Sequence, residues 1–347
     1  MFGRSSPKPI KVQVFGKTDV GRSREHNEDR FLVADLTRKD ASLQPQVRQH
    51  DLGERGSLFV VADGMGGAAA GELASQMATD TIFAHLMKAW IAESEATPQR
   101  FAHRLKESVE VANANIHAHA KAHPEVRGMG TTTTAAGVLG DHLYLTQVGD
   151  SRAYLVRGGV AHQLTKDQSL MQRLVEAGEL TEEEAAQSER RNIILQALGP
   201  DPKVKVDLTH QEVRRGDVLV LCSDGLSGQV KKEEIAQVVT QLGDLAAACD
   251  KLVALANERG GPDNITVVMA RFDGEGLRSS GNAEEVGHQV YPLIDTETST
   301  EPVPIYKGSR PPVPNKEARE ARTRLLTIVL GVIAVLAALF WYFTRSP

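Results

Sequence analysis

Cysteine is almost missing from this chain: Cys222 and Cys249 are its only two in 347 residues, too few for a disulfide framework. A reducing compartment is therefore the default. A basic excess is missing as well, since 40 Lys and Arg face 45 Asp and Glu for a formal net charge of −5. That balance offers no electrostatic footprint for nucleic acid, and no nucleic-acid partner is expected. The opening residues Met1-Phe2-Gly3-Arg4 lack the apolar stretch of a secretory signal, so export by that route is not expected. Apolar residues are plentiful at 41%, and a chain of this length can bury a large core with room for more than one segment.

After a short tail at 1–7, residues 8–273 alternate strand and helix patterns. Apolar runs closed by turn residues read as strands at 10–15, 30–34, 58–62, 131–139, 142–148, 153–156, 204–208, 218–222 and 265–272. Leu139-Gly140-Asp141-His142 and Arg157-Gly158-Gly159-Val160 read as hairpin turns, so much of the sheet is antiparallel. Apolar residues at helical spacing mark 71–90, 100–121, 233–241 and 244–258 as helices. Paired antiparallel strands with grouped helices give an α+β fold, a layered α-β-β-α sandwich of two mainly antiparallel sheets flanked by helices.

The remainder reads differently. Gly, Ser, Thr, Glu and Pro dominate the stretch from Gly274, with Glu301-Pro302-Val303-Pro304 and Pro311-Pro312-Val313-Pro314 as its low-complexity pieces. Segment 274–324 is therefore expected to be a disordered tether with a basic end. Leu325–Phe343 is uncharged and almost wholly apolar, long enough at about 1.5 Å per residue to cross about 30 Å of hydrocarbon. Lys316, Arg319, Arg322 and Arg324 precede it and only Arg345 follows, which puts the folded domain in the cytoplasm and the tail 344–347 outside. The expectation is a single-pass protein of the inner membrane, with the membrane a partner of this helix.

Three acidic dipeptides mark the candidate site. Asp63-Gly64 and Asp224-Gly225 close apolar runs and Asp263-Asn264 opens one, so their carboxylates should converge at one edge of a buried sheet. Clustered carboxylates repel one another and are costly to desolvate, which calls for a cation. An all-oxygen donor set suits Mg²⁺ or Mn²⁺ better than zinc. Competing readings fail on context. Gly64-Met65-Gly66-Gly67-Ala68-Ala69 fits a dinucleotide fingerprint, but the acidic residue due about twenty positions on falls near Asp80, inside a helix. Gly16-Lys17-Thr18 resembles the end of a P-loop, but Lys11 stands where glycine is required. His117, His119 and His123 are spread around a helix by their spacing and read as a solvated helix end, not a metal site.

Six motifs in order then carry a resemblance. They are Asp19-Val20-Gly21 with Arg24 and Asn27-Glu28-Asp29; Asp63-Gly64-Met65-Gly66-Gly67; Gly130-Thr131-Thr132; Val148-Gly149-Asp150-Ser151-Arg152; Ser223-Asp224-Gly225-Leu226; and Pro262-Asp263-Asn264-Ile265-Thr266. With them, residues 8–273 resemble bacterial members of the metal-dependent protein phosphatase family, the type 2C serine/threonine phosphatases. The resemblance implies that Asp63 bridges two ions, Mn²⁺ or Mg²⁺. Asp224 and Asp263 would hold the first, Glu28 and the Gly64 carbonyl would serve the second directly or through water, and Asp150 with Asp224 would form a weaker third site. It implies a metal-activated water attacking phosphorus in line, without a covalent phospho-enzyme. Arg24 would grip the phosphate as a bidentate fork, and Asp29 and Asn264 would orient the ligands from behind. Segment 167–198 looks like the family's flap, where Arg190-Arg191 read either as a surface charge pair or as a contact to phosphoprotein. Two departures stand out. Met65 occupies the place where eukaryotic relatives carry a histidine proposed as general acid, which leaves that role unassigned. Gln168 stands where relatives often carry histidine.

The expected activity is hydrolysis of phosphoserine and phosphothreonine on proteins, with phosphorylated proteins, Ser/Thr kinases and their substrates as partners. Cysteine-based phosphate chemistry is excluded, because Cys222 is followed six positions later by Gly228 and Cys249 by Leu255, where arginine is required. Cys222, inside an apolar run, reads as core. Histidine-ligated metallophosphatases are excluded by the lack of a GD-x-HG sequence. A catalytically silent phosphoprotein-binding scaffold is the alternative from another class, but its usual signature is a lost metal carboxylate. A dedicated partner-switch phosphoserine phosphatase is the alternative within the class, but no fused sensor domain accompanies this one.

Overall fold

In the computed structural model, which describes residues 8–188, 190–279 and 286–293, the chain begins with β1 (Lys11–Asp19), β2 (Asp29–Asp35), α1 (Pro45–Arg48), β3 (Gln49–Asp51) and β4 (Ser57–Met65). It continues through α2 (Ala68–His85), α3 (Pro98–Ala122), β5 (Gly130–Thr131), β6 (Thr133–Leu139), β7 (His142–Val148), β8 (Arg152–Arg157) and β9 (Val160–Gln163). The last part holds α4 (Leu170–Glu176), α5 (Glu182–Gln187), β10 (Asp207–Glu212), β11 (Val218–Cys222), α6 (Asp224–Ser227), α7 (Lys232–Leu242), α8 (Leu245–Glu258) and β12 (Ile265–Asp273).

Strands whose residues are apolar on both faces must be covered on both faces, and that requirement builds the sandwich. One sheet has the order β3-β1-β12-β11-β8-β9 and the other β10-β7-β6-β4-β2, with β5 paired to β4. Between them lies a layer that includes Val14, Phe59, Val61, Leu221, Val268 and Phe272, all buried. The opposite face of the second sheet packs on α2 and α3 through residues such as Val60, Ile82, Phe101 and Leu105. The outer face of the first sheet packs on α7 and α8 through Val220, Ile235, Leu252 and Met269. This is the expected α-β-β-α sandwich, and every strand pairing among the described residues is antiparallel. Both expected hairpins are present, with Leu139 facing His142 and Arg157 facing Val160.

Several boundaries differ for physical reasons. The expected strand 131–139 is split at Thr132, whose N–H turns aside to donate to the Asp63 carbonyl at 2.8 Å. Residues 286–293, expected to belong to a tether, lie along the edge of β10. The His210 N–H donates to the Gln289 carbonyl at 2.9 Å, and the Tyr291 N–H to the Leu208 carbonyl at 3.0 Å.

The membrane expectations are corrected. Among the described residues no helix is long and apolar enough to cross a membrane. The longest, α3, buries one stripe including Phe101, Leu105, Val109 and Ile116 and carries charge elsewhere, the pattern of a surface helix. The proposed span Leu325–Phe343 lies outside the described residues. The anchor, the membrane as a partner and the inner-membrane placement are withdrawn.

Candidate active site

Strand ends from both sheets meet at one edge, and the acidic residues sit there. β4 carries Asp63 and Gly64 at its end. β2 begins at Asp29, which faces Asp63 in register. β11 runs through Ser223 into Asp224, the first residue of α6. Asp263 and Asn264 lead into β12, and Asp150 lies in the turn between β7 and β8. Two groups fasten this seam. Ser223 Oγ–H donates to Asp29 at 2.7 Å and accepts the Thr266 N–H at 3.0 Å, joining one sheet to the other. Asn264 accepts the Glu28 N–H at 2.8 Å and donates to the Val20 and His26 carbonyls, both at 2.9 Å. It thereby shapes the loop that presents Arg24 and Glu28.

Gly64 is required by close approach. A Cβ there would stand 2.1 Å from the Gly71 carbonyl oxygen and 2.7 Å from that of Glu28. Ser75, on α2, donates to the Glu28 carbonyl at 2.6 Å. Sequence reasoning passed over Ser75, whose one signal was a polar residue on the buried stripe of a helix.

The electrostatics are those of crowded acids. Burial raises the Asp29 carboxyl to about 7. Burial, followed by the charge of Asp224, raises Asp150 to about 8. Asp63 is pushed well above the carboxylate range by burial and then by Asp29, Asp224, Asp150 and Asp263. Asp224 is raised by burial and then by the charge of Asp263. One oxygen of Asp29 and one of Asp224 are buried with no hydrogen-bond partner. Glu28 is also raised, mainly by burial.

Arg24 stands at the rim and donates to Asp263 at 2.9 Å. The other Asp263 oxygen accepts the Asn264 N–H at 2.9 Å. Both Asp263 oxygens are therefore engaged. Among the described residues no group of three or more His, Cys, Asp or Glu forms a ready metal-holding cluster. The donor set still fits divalent cations: it is all oxygen, it includes two unpartnered buried oxygens, and Arg24 and Arg152, the cations acting on Asp224, leave the carboxyl pKa values of Asp63, Asp150 and Asp224 raised.

Segment 167–198 lies beside this edge. Arg152 holds its start through a forked pair with Asp167, the shortest contact 2.7 Å. Gln168 takes the Gly149 N–H on its side-chain oxygen at 3.0 Å and donates to Asp207 at 3.0 Å. Arg190 and Arg191 are exposed. His117 is not at a solvated helix end as expected: its Nδ1 meets the Gly199 carbonyl at 2.9 Å. His119 and His123 stack on each other, ring centroids 4.1 Å apart. Cys222 is fully buried and its thiol is pushed up by burial to about 12, so it is core as expected. Two surface cavities of about 260 Å³ and 540 Å³ lie elsewhere, the first beside Gly158 and Val239, the second beside Gln49 and Asp51.

A two-sheet α-β-β-α sandwich with an acidic edge and a rim arginine defines a class, and comparison supplies the family. The protein phosphatase 2C family matches residues 33–260, and the chain belongs to that family. The matched stretch carries Asp63, Gly64, Asp150 and Asp224 but ends before Asp263. The chain is 38% identical over 259 residues to the serine/threonine phosphatase stp of Listeria monocytogenes, covering 74% of this chain and 94% of that one. The crystal structure of the Mycobacterium tuberculosis serine/threonine phosphatase PstP/Ppp superposes with a TM-score of 0.63 at 36% identity, covering 76% of this chain and 99% of that one. The PstP catalytic domain in complex with two manganese ions gives a TM-score of 0.61 at 36% identity, with the same coverage.

Proposed function

We propose that this chain hydrolyses phosphoserine and phosphothreonine on proteins in a reaction that depends on divalent cations, Mn²⁺ or Mg²⁺. The carrying observation is the acidic edge itself. Asp29, Asp63, Asp150 and Asp224 have raised carboxyl pKa values there, two of their oxygens are buried without partners, and Arg24 stands at the rim. The two manganese ions found with the PstP catalytic domain support a divalent cation as the cofactor.

Asp63, Gly64 through its carbonyl, Glu28, Asp224, Asp263 and Asp150 would hold the ions. When bound, the ions supply charge neutralisation and acidify water for attack on phosphorus. Asp29 and Asn264 hold this edge in place through Ser223 and the 20–28 loop. Arg24, half exposed, turns its planar fork to the phosphate oxygens and keeps the group in register. Phosphorylated proteins, including Ser/Thr kinases and their substrates, are the proposed partners. Phosphate release from a phosphothreonine peptide should require added Mn²⁺ or Mg²⁺, stop in EDTA and be lost in Asp63→Asn with the fold intact by circular dichroism. Turnover in EDTA, or by the Asp63 variant, would overturn the proposal.

A further inference from the structure

β5 is two residues long, and it lies directly against the strand end that carries the candidate ligands. On one side Thr131 pairs with Gly64 and Gly130 with Met65. Thr131 Oγ1 donates to the Asp63 carbonyl at 2.9 Å, the Thr132 N–H donates to the same oxygen at 2.8 Å, and Thr132 Oγ1 accepts the Asp63 N–H at 3.2 Å. On its other side β5 pairs with Leu198 through N–H to carbonyl contacts of 3.1 Å and 2.9 Å with Thr131, its backbone pairing on that side among the described residues. Leu198 is the last residue of the 167–198 segment. So short a strand has little pairing of its own, and its place depends on what fixes Leu198.

Two side chains of α3, one helical turn apart, do so. Asn113 is buried, and both ends of its amide are used on the returning loop: Oδ1 accepts the Gly199 N–H at 2.8 Å, and Nδ2 donates to the Asp201 carbonyl at 3.1 Å. His117 donates from Nδ1 to the Gly199 carbonyl at 2.9 Å, so the nitrogen facing Gly199 carries the hydrogen. Gly199 sits at φ +107, and a Cβ there would lie 2.6 Å from Ile116 and 2.7 Å from the Met129 carbonyl, so the loop is drawn close onto the helix. Both backbone groups of Gly199 are thus held by side chains from outside its own segment.

We propose that Asn113 and His117 are positioning residues. They pin the exit of the 167–198 segment at Gly199, which holds Leu198 on β5 and thereby fixes the backbone of Asp63 and Gly64 for cation binding. The proposal rests on the metal-dependent reading above for its last link only; the clamp on β5 is testable without metal.

The test uses the full chain as Asn113→Ala, His117→Ala and His117→Gln, with Asn115→Ala as a control, since Asn115 is exposed on the same helix. In metal-free protein, amide hydrogen exchange at Thr131 and Thr132 should quicken about tenfold in Asn113→Ala, as expected for loss of a buried hydrogen bond. Exchange at Val220, in the middle of β11, should be unchanged. Mn²⁺ affinity measured by calorimetry should fall by about the same factor. kcat for p-nitrophenyl phosphate should drop while KM holds, and His117→Gln, which keeps a donor, should recover most of what His117→Ala loses. Normal exchange at Thr131 and Thr132 in Asn113→Ala, or an equal rise at Val220, would overturn the clamp. Quickened exchange with wild-type Mn²⁺ affinity would overturn the link to Asp63. If Asn113→Ala does not fold, the half-buried His117→Ala carries the same exchange readout. Failure of the wild type itself to bind Mn²⁺ would count against the metal reading, and exchange would still decide the clamp.

Discussion

In EDTA the protein should lose stability as pH rises, and Asp29 should account for a measurable part of the loss. Its carboxyl is buried, one oxygen has no partner, and its pKa rises from an ordinary 3.8 to about 7. Below 3.8 the folded and unfolded chains are both protonated there and the fold keeps its full stability. Above that value the unfolded chain releases its proton first, so stability declines until pH passes the folded value near 7. The displacement corresponds to about 4 kcal/mol across the window, or on the order of 10 °C in Tm for a domain of this size. Asp29→Asn removes the titration. Its Tm in EDTA should therefore match that of the wild type at pH 4 and exceed it increasingly towards pH 8. Thermal scans in EDTA at half-unit pH steps, run on both proteins, give the comparison. A wild-type Tm that stays level from pH 4 to 8, or an Asp29→Asn curve parallel to it, would refute the reasoning.

Arg24→Ala should raise KM for a phosphopeptide and leave kcat nearly unchanged, with kcat/KM falling about 10- to 100-fold for the loss of a charge-assisted fork. Arg24→Lys should recover little, because a point charge cannot hold two oxygens in a plane; a KM within about twofold of wild type for Arg24→Ala would count against phosphate binding there. Iodoacetamide should leave turnover untouched and Cys222→Ser should remain active, since the thiol is fully buried and titrates at about 12. Rapid inactivation by the reagent would reopen a role for sulfur.

Much of the architecture was legible because burial on both faces leaves a plain mark. Leu58-Phe59-Val60-Val61-Ala62 is an unbroken apolar run and lies at the centre of β4, each residue fully buried. Both hairpins followed from paired turn residues. Local pattern was weaker where one residue's destination depended on a distant partner. Thr132 leaves the expected strand for the Asp63 carbonyl, and nothing in its neighbours marks that choice. The pairing of 286–293 with β10 depends on an open sheet edge, which exists only once the sheet is assembled. Asn113 and His117 occupy a helix whose apolar spacing explains the fold without them, and their partner Gly199 is 82 or more residues away.

The division of the acidic residues between the sheets says why the site could be read as a list of residues before it could be read as a place. Asp63 ends a strand of one sheet, whereas Asp224 and Asp263 flank strands of the other. Neither sheet alone carries all of the proposed ligands, so they come together only when the layer containing Phe59, Leu221 and Val268 packs. The seam bond from Ser223 to Asp29 crosses between the sheets at that point. Because folding drives these acids together against their repulsion, packing energy holds them in readiness for a cation, and cation binding in turn stabilises the packed sandwich. On the proposed reading, metal affinity and the integrity of the inter-sheet core are linked through one equilibrium, so a variant that loosens this core should also weaken Mn²⁺ binding.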